Sequence, residues 1–238
     1  MAYVEGFVVA VPAANKEIYR KHASEALPIF KEFGVTRMVE TWGDEVPDGK
    51  VTDFKGAVKA KPDEVVVFSW VEYPDRKTRD AANAKMMSDP RMKAMGESMP
   101  FDGRRMIYGG FDALVDKGEG GAAGYVDGVL IAVPQDRKAD FRNHAAELAA
   151  LFTDHGARRV VDAWGDDVPD GKVTDFKGAV KAKDGETVVF GWVEWASKAA
   201  RDEAEGKIRQ DARMNNGAPM PFDGQRMIYG GFATLLDA

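Results

Sequence analysis

Two acids set among tryptophan and phenylalanine are the residues best placed to do chemistry in this sequence. Glu40 lies between Met38 and Trp42, and the two-residue period of a strand puts all three side chains on one face. The same row returns later as Val160, Asp162 and Trp164. Glu72 shares a face with Phe68 and Trp70, and Glu194 shares one with Phe190 and Trp192. If such a face lies within a barrel, its carboxylate sits in low dielectric, its pKa rises, and it can abstract a proton near neutrality. The plainer reading leaves Glu72 at a strand end, solvated or paired with a basic side chain.

His22 and His144 occupy matching places beside an apolar stripe, three residues after Tyr19 and Phe141. A histidine there could act as a general base or orient a ligand. It could equally be a half-buried residue bonded to a neighbour. Arg105 with Tyr108, and Arg226 with Tyr229, could hold a carboxylate ligand. The competing role for the arginines is pairing with Asp102 and Asp223 at the adjacent turn. Trp42, Trp70, Trp164 and Trp192 complete the set of candidate ligand-facing side chains. Gly109-Gly110 and Gly230-Gly231 lie within strands, where glycine marks a bulge or a close approach.

Several chemistries are not written here. The chain has no cysteine, so it has no thiolate ligand, disulfide or cysteine nucleophile. Its three histidines form no HxH or HExxH pattern, so no metal site is expected. There is no phosphate-binding glycine loop and no GxSxG elbow, and no cofactor is implied. A net charge of −6, spread over both halves without a basic cluster, argues against nucleic acid. No apolar run reaches about 18 residues, so no membrane span is expected. The opening MAYVEGFVVAVP reads as a strand and not as a leader, which makes the cytoplasm the expected location.

The elements that must position these residues are written twice. MPFDGRRMIYGGF, Met99 to Phe111, returns as MPFDGQRMIYGGF from Met220 to Phe232. WGDEVPDGKVTDFKGAVKAK, Trp42 to Lys61, returns from Trp164 with one change, Glu45 to Asp167. The period is far longer than a solenoid unit, so these are two whole domains, 1–116 and 125–238, with a Gly-rich linker at 117–124. In the first half, Tyr3–Pro12 reads as a strand and Asn15–Phe33 as a helix, with Asn15 as N-cap and Gly34 as stop. Val35–Trp42 reads as a strand, Phe54–Ala60 and Val65–Tyr73 as a hairpin-like pair, Asp75–Met87 as a helix and Arg105–Phe111 as the last strand. That order predicts an α+β fold of two ferredoxin-like, split βαβ repeats with antiparallel sheets. Each sheet has helices on one face only. Stacking the two sheets within one chain would cover the other.

WGDEVPDGKVTDFKGAVKA, VVFSWVEYP, RDAANAKMMSDPRMK and ESMPFDGRRMIYGGF together resemble the YbaA-like bacterial proteins, a domain family of unknown function. The resemblance covers Ala2–Asp116 and, with a more divergent second helix, Tyr125–Asp237. It implies the dimeric α/β-barrel superfamily, in which two ferredoxin-like sheets close into a barrel, and it implies no assigned activity. The wider superfamily includes cofactor-free monooxygenases, haem-degrading enzymes, lactone isomerases and proteins with no known chemistry.

The leading expectation is therefore a barrel protein that binds a small apolar or aromatic molecule. A cofactor-independent monooxygenase or isomerase using Glu40, His22 and their counterparts is one alternative. A non-catalytic structural or partner-binding module is another. The near-identical VPDGKVTDFK loops could be the lip of a pocket or the contact between the halves. The two repeats are expected to pair within one chain, and further pairing of two chains is compatible with the sequence.

Overall fold

The fold is described from a computed structural model for residues 2–214 and 219–238. The first repeat runs β1 (Tyr3–Pro12), α1 (Lys16–Glu32), β2 (Arg37–Glu45), α2 (Phe54–Ala57), β3 (Glu64–Tyr73), α3 (Arg76–Ser88), α4 (Pro90–Glu97) and β4 (Ile107–Gly118). The second runs β5 (Tyr125–Pro134), α5 (Lys138–Asp154), β6 (Arg159–Asp167), α6 (Phe176–Ala179), β7 (Glu186–Trp195), α7 (Lys198–Gln210) and β8 (Ile228–Asp237). The eight strands form one closed antiparallel barrel in the order β1-β3-β2-β8-β5-β7-β6-β4. The repeats therefore join edge to edge, through β2 with β8 and β4 with β6. Closure leaves no unpaired sheet edge.

The strands are apolar on both faces because both faces are covered. Inside, Phe68 and Phe190 stack at 4.4 Å between ring centroids, and Trp70 lies 4.4 Å from Trp192. Outside, helices pack on the sheet. On α1 the buried residues are Tyr19, Ala23, Ala26 and Ile29, a stripe at helical spacing. The helix runs unbroken through Pro28 and ends before Gly34, whose φ of +106° favours glycine.

Three local expectations are corrected. Phe54–Ala60 is not a strand. Asp53 accepts from the Gly56 amide and caps the short α2, turning Phe54 and Ala57 into the core. Asn15 caps nothing with its side chain, which donates instead to the Pro100 carbonyl at 2.8 Å. Two residues of the expected linker also extend β4, because pairing with β6 continues to Gly118 opposite Arg159.

Each end of the barrel is closed by contacts between repeats. At one end Arg37 binds Glu194 at 2.7 Å and Asp237 at 2.8 Å, while Arg159 binds Glu72 and Asp116, both at 2.8 Å. The Trp70 and Trp192 indoles donate to Glu72 and Glu194. At the other end the two VPDGKVTDFK loops face each other across an open groove of about 430 Å³. Thr52 donates to the Ala179 carbonyl there, and Thr174 to that of Arg105. The loops are thus a contact between the halves.

Candidate functional site

Glu40 and Asp162 do not face the barrel interior. The row of Met38, Glu40 and Trp42 points outward, beneath the helices, while the Phe68 and Trp70 row fills the inside. Alternation along β2 was legible, but which face became the interior depended on how the strands closed. Between the outer sheet face and the helices lie two cavities, one per repeat. The first, about 310 Å³, is lined by Glu40, His22, Tyr19 and Ser69 together with the methionines of α3, α4 and β2. The second, about 390 Å³, is lined by Asp162, His144, Phe141, Trp192, Trp195 and Tyr229 among others.

The two acids sit in different company. The Tyr19 hydroxyl donates to Glu40 at 2.6 Å, and Ser69 also bonds to it. Burial still pushes the Glu40 pKa up to about 7 against those two donors. In the second repeat Phe141 replaces Tyr19 and Gly191 replaces Ser69, so both hydroxyls are gone. Among the described residues no donor meets the Asp162 carboxylate, and burial alone pushes its pKa up to about 7. The first substitution removes a donor, and the second also makes room. A Cβ on Gly191 would lie 2.6 Å from Asp162 Oδ1.

His22 and His144 face the same cavities from α1 and α5. Burial lowers both pKa values, which favours the neutral imidazole. Each cavity has a second acid that sequence reasoning missed. Glu5 accepts from Asn83 at 3.1 Å, and Asp127 accepts from the Trp195 indole at 2.8 Å and from Arg201 at 3.0 Å. Burial raises both carboxyl groups. The signal that could have found the contrast was the joint change of Tyr19, Ser69 and Glu40 to Phe141, Gly191 and Asp162.

The other candidates are placed elsewhere. Arg105 is bound to Glu64 at 2.6 Å and to Asp102 at 3.3 Å, and Arg226 repeats this with Glu186 and Asp223. Tyr108 and Tyr229 are half exposed on their strands, Tyr229 at the edge of the second cavity. Trp42 packs near Tyr19 and Trp164 near Phe141, behind the cavity walls. Trp70 belongs to the barrel core. Glu72 is paired with basic side chains, as its plainer reading had it, but it is buried. Among the described residues no group of three His, Cys, Asp or Glu side chains could hold a metal ion, and no helix is long and apolar enough to cross a membrane.

These features define an eight-stranded antiparallel α/β barrel built from two fused repeats, each with an acid-floored cavity under its helices. The chain belongs to the family described as "Protein of unknown function (DUF1428)", which it matches twice, over residues 2–103 and 124–224. It is 67% identical over 117 residues to the uncharacterized protein YbaA of Escherichia coli K12; the match spans 49% of this chain and all of that one. Its fold is similar to the crystal structure of a putative monooxygenase from Fusobacterium nucleatum, with a TM-score of 0.62 at 11% identity, covering 99% of this chain and 93% of that one. A putative monooxygenase from Lactobacillus acidophilus gives a TM-score of 0.55 at 10% identity, over 100% and 95%. At such identity the likeness is one of fold.

Proposed function

We propose that the protein binds small, largely apolar molecules in the two cavities between its helices and the outer face of the barrel. The observation that carries this reading is the pair of cavities, about 310 and 390 Å³, each with largely apolar walls around a carboxyl group. Both fall in the size range of small-molecule sites. The halves are read as ferredoxin-like units, 1–116 and 125–238, joined by 117–124. The strand orders β4-β1-β3-β2 and β8-β5-β7-β6 support that reading.

The test is binding of the neutral dye N-phenyl-1-naphthylamine, followed by its fluorescence gain. Ala23 and Ala145 line the first and second cavities. Ala23→Phe and Ala145→Phe should each remove one class of site while the protein still melts cooperatively. Dye uptake unchanged in the folded double variant would overturn the reading.

A second reading, proton abstraction without a cofactor, is supported by two cavity-lining acids whose surroundings raise both pKa values to about 7. The oxygenase-like names of the fold relatives are compatible with it. Asp162 and Glu40 would be the bases, with His144 and His22 beside them. Asp162→Asn should then slow turnover of a responsive substrate by about 10²-fold or more. An unchanged rate would remove Asp162 from the scheme.

A further inference from the structure

We infer that the second cavity recognises a small organic amine, an ammonium group on an apolar body whose N–H donates to the Asp162 carboxylate. This rests on the pocket reading above and specifies the occupant's chemistry.

The argument begins with what Asp162 lacks. Its carboxylate is partly accessible and opens onto the cavity, and among the described residues no protein donor meets it, so only water or a ligand can. In the first repeat Tyr19 and Ser69 meet that need; in the second both have been replaced by residues that cannot. Asp162 Oδ1 takes up the place where a side chain at 191 would begin, and the cavity stays open in front of it. A ligand that brings its own donor completes the site.

The surrounding charges select a cation. The ionisable groups lining this cavity are Asp127 from β5, Asp162 from β6, His144 from α5, Arg201, Glu205 and Arg209 from α7, and Tyr229 from β8 at its edge. Arg201 is bound to Asp127 at 3.0 Å and reaches Glu205 at 3.4 Å, and Arg209 is bound to Glu205. His144 is held toward its neutral form by burial. Those cations already face acids, and among the described residues no cation is bound to Asp162. An anion would meet repulsion there. A neutral hydroxyl would give a hydrogen bond but leave the carboxylate's charge uncompensated. An ammonium supplies both, and the pairing is strongest where water is excluded. In the first cavity the two hydroxyls already occupy Glu40, so the preference should be confined to the second.

Three probes with similar bodies and different heads test this: 2-phenylethylamine, 2-phenylethanol and 3-phenylpropionate. Binding to the full chain is read at pH 8 by calorimetry and by the fluorescence of the lining Trp195. The expected order is amine, then alcohol, then acid, with the amine tighter than the alcohol by about tenfold or more. Asp162→Asn should bring the amine to the alcohol's level, and Glu40→Gln should leave the preference in place. Phe141→Tyr combined with Asp162→Glu, which rebuilds the first repeat's pair, should weaken it. With the Asp162 pKa near 7, amine affinity should fall as pH drops below 7, approaching tenfold per unit, while alcohol binding stays level. Protonation of His144 at lower pH would push the same way. Equal binding of all three probes, or an amine preference that survives Asp162→Asn, overturns the inference and leaves the pocket reading standing. Failure of every probe to bind overturns both.

Discussion

Tyr19 Oη lies 2.6 Å from Glu40 Oε2 beneath α1, and the equivalent contact in the second repeat is abolished at both ends, by Phe141 and Asp162. The two halves share a backbone plan and nearly identical loops, yet their cavity acids differ in what they can still bond. One is satisfied by its own protein. The other is not. Fusion of the repeats lets the two sites differ, which identical subunits in a homodimer could not do.

The first prediction concerns stability and pH. The Asp162 pKa is raised from its ordinary value to about 7 in the folded chain. The folded state therefore binds more protons than the unfolded state between those values, and stability falls as pH rises through that window. Asp162→Asn removes the penalty. It should stabilise the protein at pH 8, by on the order of 2 kcal/mol, and have little effect near pH 4. Thermal melts across pH check this; equal shifts at both ends would contradict the assignment.

A second prediction separates the two acids. The Tyr19 hydroxyl opposes the rise in the Glu40 pKa. Tyr19→Phe should therefore move the Glu40 titration upward and cost about 1–2 kcal/mol at pH 8, where the carboxylate loses a charge-assisted donor. Carboxyl chemical shifts followed by NMR in the wild type and the variant report the titration directly.

The third concerns the barrel's closure. Arg37 bridges the repeats by binding the fully buried Glu194 as well as Asp237. Arg37→Ala leaves the Glu194 carboxylate partly stranded, with the Trp192 indole at 2.9 Å and Arg159 at 3.7 Å, and should cost about 3 kcal/mol. Urea denaturation measures the loss. Adding Glu194→Gln should recover part of it, because the stranded charge is then gone.

The fourth uses a glycine in a strand. A Cβ on Gly110 would lie 2.1 Å from Arg79 Nη2 and 2.4 Å from Tyr3 Oη. Those two atoms are hydrogen-bonded to each other, and Arg79 also reaches Asp167 across the repeats at 2.7 Å. Gly110→Ala should cost about 1–3 kcal/mol through displacement of that pair. Gly109→Ala should cost less, since its nearest contacts are at 3.4 Å. Comparative melting of the two variants decides it.

Much of this was legible in the order of residues. The repeat announced a tandem duplication, and alternation along Met38, Glu40 and Trp42 correctly put an acid and a tryptophan on one face. The absence of cysteine and of phosphate-loop motifs narrowed the chemistry before any fold was known. These are properties of neighbours along the chain, where period and composition speak for themselves. Phe54–Ala60 shows where such reading stops. Its strand-like composition yields to the Asp53 cap and to a place for Phe54 in the core.

The tertiary structure decided which face was inside. A strand's two faces are equivalent in sequence terms when both are apolar, and only the joining of β2 to β8 and β4 to β6 turned the Trp70 row inward and the Glu40 row out beneath the helices. It also decided who meets each acid. Tyr19 comes from α1, Ser69 from β3 and Glu40 from β2. Contacts drawn from three separate elements exist only once packing has brought them together, so the saturation of Glu40 and the isolation of Asp162 could be seen only in the folded chain.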